Sequence, residues 1–464
     1  MKKRRTEGRV SASFRDPSGF LFYRDGAIYR QVNAVYEEDY TQLMDSGLCE
    51  ALVDDGLLIP HEEVDVPPPE PGQAFKVIRP ERLPFISYPY EWCFSQLKDA
   101  ALTTLEIQQR AFDCGMSLKD CSAYNIQFRE GSPILIDTLS FEKYREGEPW
   151  VAYRQFCQHF LAPLALMSYK DVRLNQLLRI HIDGIPVDLA SSLLPFRTRL
   201  VFSLLSHIHL HARSQKHFAD KAVDTEGRQM GRLSFRGLVD SLKSAVKRLT
   251  WQPEGTEWAD YYENTNYPSD ALQHKQEMVA EFLTEIDPEN VWDLGANVGV
   301  FSRIASDREI RTLSFDVDPA AVERNYLRCV QEGETHILPL LLDLTNPSPG
   351  IGWENEERTS LLDRGPADMA FALALIHHLA ISNNLPLDRI AAFFDRICDA
   401  LVIEFVPKDD AQVQRLLATR EDIFAHYTQQ NFEDAFSKHF VLRCAKILKG
   451  TKRTLYLMEG KHSP

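Results

Sequence analysis

The sequence predicts a two-part α/β protein: a helix-rich α+β domain, then an open, doubly wound sheet of mainly parallel strands. Three observations carry this. At 464 residues the chain is too long for one ordinary domain. From residue 271 onward, short apolar runs alternate with helix-period stretches, the pattern of parallel strands joined by helical crossovers. Residues 291–302, Val-Trp-Asp-Leu-Gly-Ala-Asn-Val-Gly-Val-Phe-Ser, read as strand, glycine turn and helix, so that a ligand can lie against bare backbone.

The N-terminal elements follow from turn signals and period. Residues 8–66 read as short strands around turns at Pro17-Ser18-Gly19 and Arg24-Asp25-Gly26, a helical stretch near 36–54, and a strand at Leu57-Leu58-Ile59. The run Val-Pro-Pro-Pro-Glu-Pro-Gly at 66–72 is extended and loop-like. A mostly apolar helix spans 94–114, residues 117–141 read as loop, strand, turn and strand, and 150–215 is mostly helical. The polar stretch 214–234 lacks apolar periodicity and is the linker candidate. The expected organisation is an α+β domain at 1–235, a linker and aromatic segment at 236–270, and the doubly wound domain at 271–464. Trp251, Trp258, Tyr261, Tyr262 and Tyr267 crowd that middle segment, either as a lid or as packing for a linker.

In an open parallel sheet, ligands bind outside the carboxyl ends of the strands. Asp293 ends the first strand, and Gly295, Asn297 and Gly299 form the turn after it. The second strand, Thr312-Leu313-Ser314-Phe315, ends in Asp316, an acid ~20 residues after the glycine turn that can accept bonds from ribose hydroxyls. Asp318 is the second choice for that acid, since an Asp before Pro319 is also a good helix cap. The third strand, 337–342, ends at Asp343. The fourth, 368–376, runs into His377 and His378, and the fifth, 400–406, contains Glu404, which needs a partner if it is buried.

The D-x-G-x-x-x-G spacing at Asp293, Gly295 and Gly299 resembles motif I of the class I S-adenosylmethionine-dependent methyltransferases, whose domain is a Rossmann-like doubly wound sheet. The resemblance spans about the last 200 residues. It implies S-adenosyl-L-methionine as cofactor, with Asp293, Gly295, Asn297 and Gly299 beside its amino-acid part, Asp316 on the ribose and Asp343 at the adenine amino group. His377 and His378 would face the methyl acceptor, where one of them is a candidate general base. Methyl transfer needs only an in-line acceptor, exclusion of water and, for some acceptors, removal of a proton. The half accordingly shows neither a nucleophile elbow nor a metal-ligand cluster.

Bulk properties narrow the partners. A net charge of −15 argues against broad binding to nucleic acid or to an anionic surface, though not against a local basic groove. No run of about 18 apolar residues appears, so no membrane span is expected, and the basic start Met1-Lys2-Lys3-Arg4-Arg5 leads into no apolar segment. The eight cysteines form no C-x-x-C pair and read as reduced thiols of a cytoplasmic protein, with no zinc site. His207, His209 and His211 lie in a helical pattern, where such spacing does not converge on a metal.

A second constellation lies in the N-terminal half. Asp120 and Asn125 stand in Asp-x-x-x-x-Asn spacing, and an apolar strand then ends in Asp137. This resembles the catalytic and metal loops of protein-kinase-like folds, which would make Asp120 the base and Asn125 and Asp137 magnesium ligands. The helix at 94–114 precedes the loop as that family requires, and 85–88 would be the hinge. The departures are a missing G-x-G-x-x-G loop, with Asp16-Pro17-Ser18-Gly19 the nearest substitute, a missing V-A-I-K strand, with Arg30 its only stand-in, and Asp-Thr-Leu for Asp-Phe-Gly. The expectation is a methyltransferase for an unidentified acceptor, a small molecule or protein rather than bulk nucleic acid, whose first domain selects substrate. A bifunctional kinase-like methyltransferase and an inactive binding protein of the same fold are the alternatives.

Overall fold

The computed structural model describes residues 7–213, 230–253, 269–418 and 420–461. It divides into two compact units, one of residues 1–252 with 350–359, the other of 253–349 with 360–464. The segment 236–270 read as a linker is not uniform. A helix, Arg232–Arg248, belongs to the first unit and packs on the helix Phe94–Asp113, while Trp258, Tyr261, Tyr262 and Tyr267 lie outside the described residues.

The first unit opens with an antiparallel sheet of β1 (Gly8–Arg9), β2 (Gly19–Arg24), β3 (Ala27–Asn33), β4 (His61–Glu63) and β5 (Ala74–Pro80), in the order β1-β2-β3-β5-β4. The β2–β3 hairpin turns on Asp25 and Gly26, both with positive φ, which matches the right-handed twist of its strands. The helical stretch near 36–54 is two helices, Glu37–Asp45 and Leu48–Asp54, broken at Gly47 with φ 73°. Val32, Tyr36, Tyr40, Ile78 and Leu139 close a core under this sheet. The 20-residue helix Phe94–Asp113 follows, and then two small ladders: β6 (Met116–Leu118) with β9 (Phe141–Lys143), and β7 (Ile126–Arg129) with β8 (Ser132–Leu135). Leu58 only bridges to Leu135, so the strand expected at 57–59 is a single contact.

The second unit is a seven-stranded, mostly parallel sheet with helical crossovers, a Rossmann-like arrangement. Its strands are β10 (Asn290–Leu294), β11 (Arg311–Asp316), β12 (Ile337–Leu341), β13 (Ala367–Ala372), β14 (Cys398–Phe405), β15 (Phe440–Ile447) and β16 (Thr454–Gly460). The order among the described residues is β12-β11-β10-β13-β14-β16-β15, parallel from β12 to β14, with β16 antiparallel to both β14 and β15. The chain runs outward from β10 through β11 to β12, then returns to the other side of β10 for β13. That reversal opens a crevice at the carboxyl ends of β10 and β13. Met278, Val279, Phe282 and Leu283 of the helix Ser269–Ile286 pack against Val291, Met369, Phe371 and Val402 to form the core under it.

Candidate functional site

The turn after β10 is held in a conformation that its sequence makes accessible. Gly295, Asn297 and Gly299 have φ of 80°, 51° and 77°. The amides of Gly295 and Ala296 both donate to the Phe315 carbonyl at 2.9 Å, tying the turn to β11. Gly299 has a second constraint besides φ: a Cβ there would lie 2.6 Å from Arg303 Nη1 and Asn325 Oδ1. Arg303 fills that space because its guanidinium donates to the carbonyls of Val298 and Gly299 and to Asn325. No side chain is tolerated there without dismantling this clamp.

Asp293 and Asp316 end up buried at the tips of neighbouring strands. Asp293 accepts a 2.6 Å bond from Ser302 Oγ, which lies 3.0 Å from Ser314 Oγ. Asp316 accepts one backbone N–H on each oxygen, from Asp318 at 2.9 Å and from Asn297 at 2.7 Å. Burial pushes the Asp293 carboxyl up to about 7 against the Ser302 bond, and the Asp316 charge adds to the shift. Burial likewise raises Asp316 to about 6, opposed by the two amides. Two acids are thus buried at neighbouring strand tips, where desolvation outweighs what stabilises their charge.

The other expected contacts are placed as follows. The Asn297 side-chain oxygen accepts from the Val298 amide at 2.8 Å, and its backbone amide is the group that reaches Asp316. Asp318 caps the helix Pro319–Glu332 by accepting from Ala320 at 2.9 Å. Between the two acids, Val317 stands in solvent. Asp343 is exposed, two residues beyond β12, with Oδ1 accepting from the amide and hydroxyl of Thr345.

The histidines are not at a strand end. β13 stops at Ala372, four residues earlier than the apolar run suggested, because Ala374 takes a left-handed φ of 52°. Helical geometry resumes at Ile376, so His377 and His378 lie on its first turn with ring centroids 4.2 Å apart. His377 is buried, and among the described residues its Nδ1 has no hydrogen-bond partner. Burial, then the neighbouring His378 and Arg453, holds its pKa well below the ordinary imidazole value. Burial and Arg453 lower His378 to about 4. Both rings are neutral across the physiological range.

Glu404 is fully buried and fully engaged. Lys275 Nζ donates to its Oε2 at 2.5 Å and the Ala374 amide donates to the same oxygen at 2.9 Å. Arg453 Nη1 donates to Oε1 at 3.2 Å, while Arg453 Nε and Nη2 hold Asp410 at 2.7 and 3.0 Å. Lys275, Arg453 and Asp410 went unread in the sequence. Lys275 had a signal: it replaces an apolar residue on the stripe Leu272, Met278, Val279, Phe282 of its helix. Arg453, in a Gly-Thr-Lys-Arg turn, had none.

In the first unit, Asp120, Asn125 and Asp137 come together around Ser140. Asp137 Oδ1 pairs with Arg30 and accepts the Leu139 amide, and Oδ2 accepts Ser140 Oγ at 2.9 Å. Asn125 Nδ2 reaches the same Ser140 oxygen at 3.4 Å. Asp120 Oδ1 accepts from Ser122 and Gln155, and burial, then Asp137, raises its pKa. Arg30 also reaches Asp16 at 3.3 Å, and Lys119 donates to Ser18 at 2.6 Å. His207 bonds Tyr153 and Ser241, His209 bonds Ser191 and Thr198, and His211 stacks on Tyr153. No acid, histidine and cysteine group among the described residues is arranged to hold a metal.

No family model matches the chain. It is 36% identical over 463 residues to the nodulation protein NoeA of Rhizobium meliloti (strain 1021), a match covering 97% of this chain and 96% of that protein. The chain belongs to the NoeA family of nodulation proteins. Among solved structures it is similar to magnesium protoporphyrin IX methyltransferase (ChlM) from Synechocystis PCC 6803 with bound SAH, at TM-score 0.32 and 14% identity over 44% of this chain and 93% of that one. It is also similar to the N-methyltransferase NodS from Bradyrhizobium japonicum WM9, at TM-score 0.30 and 13% identity over 41% and 97%. A third is the bifunctional kinase-methyltransferase WbdD, at TM-score 0.29 and 14% identity over 46% and 45%.

Proposed function

We propose that the second unit is a methyltransferase that uses S-adenosyl-L-methionine, and that the first unit selects its substrate. The observation that carries this reading is the pair Asp293 and Asp316, two buried carboxyls at adjacent strand tips whose ionised forms the protein under-compensates. A ligand bringing positive charge and hydroxyl donors into the crevice relieves both. The cofactor, when bound, supplies an activated methyl group on a sulfonium that carries such charge. Asp316 would accept from its ribose, the Gly295–Gly299 turn would lie against its amino-acid part, and Asp343 is the candidate for its adenine. The acceptor would meet the loop 373–378, where His377 or His378 is the candidate base, a role that the burial of both rings opposes.

Thermal-shift titration tests the cofactor: stabilisation of the wild type, lost in Asp316→Ala, is expected, and no stabilisation of either removes the enzyme reading. Methyl-labelled cofactor incubated with fractionated cell extract then reads the acceptor class. Cofactor binding without any labelled fraction supports the inactive binding protein instead. Loss of label in His377→Ala but not His378→Ala assigns the base, and retention in both defeats that role.

A second reading concerns the first unit. Its small sheet, long helix, Asp-bearing loop, β7–β8 hairpin and Asp137 follow in the order of the protein-kinase-like resemblance, which supports a kinase-like scaffold. The Arg30–Asp137 pair and the Ser140 bond already engage both oxygens that magnesium would need. This favours substrate selection over phosphotransfer. Magnesium-dependent ATP binding abolished by Asp137→Ala would reverse that preference.

A further inference from the structure

The stretch from Leu189 to Ala219 departs from the rest of the chain. It contains no Asp or Glu, in a sequence with 67 acids among 464 residues and a net charge of −15, yet it carries Arg197, Arg199, Arg213 and Lys216. The structure adds that its middle part turns its apolar side chains outward. Phe196, Leu200 and Phe202 are 72%, 80% and 80% exposed, with Leu193 beside them in sequence and also exposed. Arg197 and Arg199 are exposed between them, and the Arg199 guanidinium lies 5.6 Å from the Phe196 ring centroid. Single exposed apolar residues are ordinary, but this density within one acid-free loop is not.

The loop is built rather than frayed. Leu194 and Thr198 are its buried feet. Thr198 Oγ1 donates to the Pro195 carbonyl at 2.7 Å and meets His209 Nε2 at 2.9 Å, while His209 Nδ1 meets Ser191 Oγ at 2.8 Å. One buried imidazole therefore pins both ends of a knuckle whose tips are two phenylalanines and a leucine. Apolar tips flanked by arginines suit a bilayer interface, where the rings enter the boundary between headgroups and acyl chains and the guanidiniums meet anionic phosphates. The acidity elsewhere would repel an anionic surface and so confine contact to this face.

The geometry points to residues 193–202 as a peripheral docking surface for an anionic lipid bilayer. The surface is independent of the methyl-transfer reading and needs no spanning segment. Flotation of the full-length protein with phosphatidylcholine vesicles, with and without ~30% phosphatidylglycerol, tests it. Binding to the anionic vesicles, weakened by salt and weak on phosphatidylcholine alone, is expected. Arg197→Glu with Arg199→Glu should reduce it by at least about 30-fold, since each arginine near such a surface contributes about a factor of five. Phe196→Ser with Phe202→Ser should reduce it about tenfold or more at unchanged charge. All four side chains are exposed, and Arg197 also lies 5.5 Å from the Tyr169 ring centroid, so circular dichroism should match the wild type and the melting temperature should fall by no more than a few degrees. Equal flotation of wild type and variants, or none by the wild type, overturns the proposal. So does self-association of the wild type that Phe196→Ser with Phe202→Ser abolishes, because the patch would then be an interface between copies.

Discussion

Cofactor affinity should depend on pH through Asp293 and Asp316. Their carboxyls sit at about 7 and about 6, against 3.8 for an unperturbed aspartate. A raised folded value means that the folded state holds the proton more tightly than the unfolded chain. The stability this brings to the ligand-free protein is complete below about pH 4 and is lost as pH rises through 6 and 7. A cationic, hydroxyl-bearing ligand prefers both groups ionised, so binding must expel whatever protons they hold. From these values, the doubly ionised fraction grows roughly 50-fold between pH 5 and pH 6. Isothermal titration with S-adenosyl-L-methionine in buffers of different ionisation enthalpy would read the affinity and the proton release together. Close to two protons should be released per ligand at pH 5, falling toward none above pH 8. Asp316→Asn should weaken binding and cut the limiting slope to one proton. It should also bring the remaining Asp293 titration lower, because the Asp316 charge contributes to its elevation. Affinity that is flat between pH 5 and pH 7, or a two-proton slope that survives in Asp316→Asn, would refute the reasoning.

Three further outcomes are expected from the same crevice. Lys275→Met leaves the fully buried Glu404 with only Arg453 and the Ala374 amide and should cost about 3 kcal/mol, while Lys275→Met with Glu404→Leu, in which Arg453 keeps Asp410, should recover part of that loss in denaturant unfolding. Gly299→Ala meets both a positive φ and the Arg303–Asn325 clamp, so it should destabilise by more than about 1 kcal/mol and weaken cofactor binding together, as read by melting temperature and titration. Asp318→Ala removes a helix cap and one charge that helps to raise Asp316, and should cost about 1 kcal/mol with near-normal cofactor affinity, in contrast to the acid two residues before it.

Much of the second unit was legible because its signals are local. A strand ending in Asp293, a turn requiring positive φ at Gly295 and Gly299, and a second acid at Asp316 are all matters of spacing, and the structure brings these residues together. The hairpin at Asp25-Gly26 was readable for the same reason. The apolar run 368–376 misled because hydrophobicity reports burial and not backbone: Leu373, Ile376 and their neighbours are buried in a turn and a helix rather than in the strand. Glu404 was visible as an anomaly, but its partners were not. Lys275 and Arg453 reach it from 129 and 49 residues away, a pairing that no local period encodes.

The sequence by itself determined the order of elements, the doubly wound sheet and the acids that end its strands, because periodicity and turn chemistry act over a few residues. Only the tertiary structure decided what those acids experience. Burial raised Asp293 and Asp316 and kept His377 and His378 neutral, whereas Asp343 stayed in solvent. The physical reason is desolvation, which depends on every element packed around a group and on none of its sequence neighbours in particular.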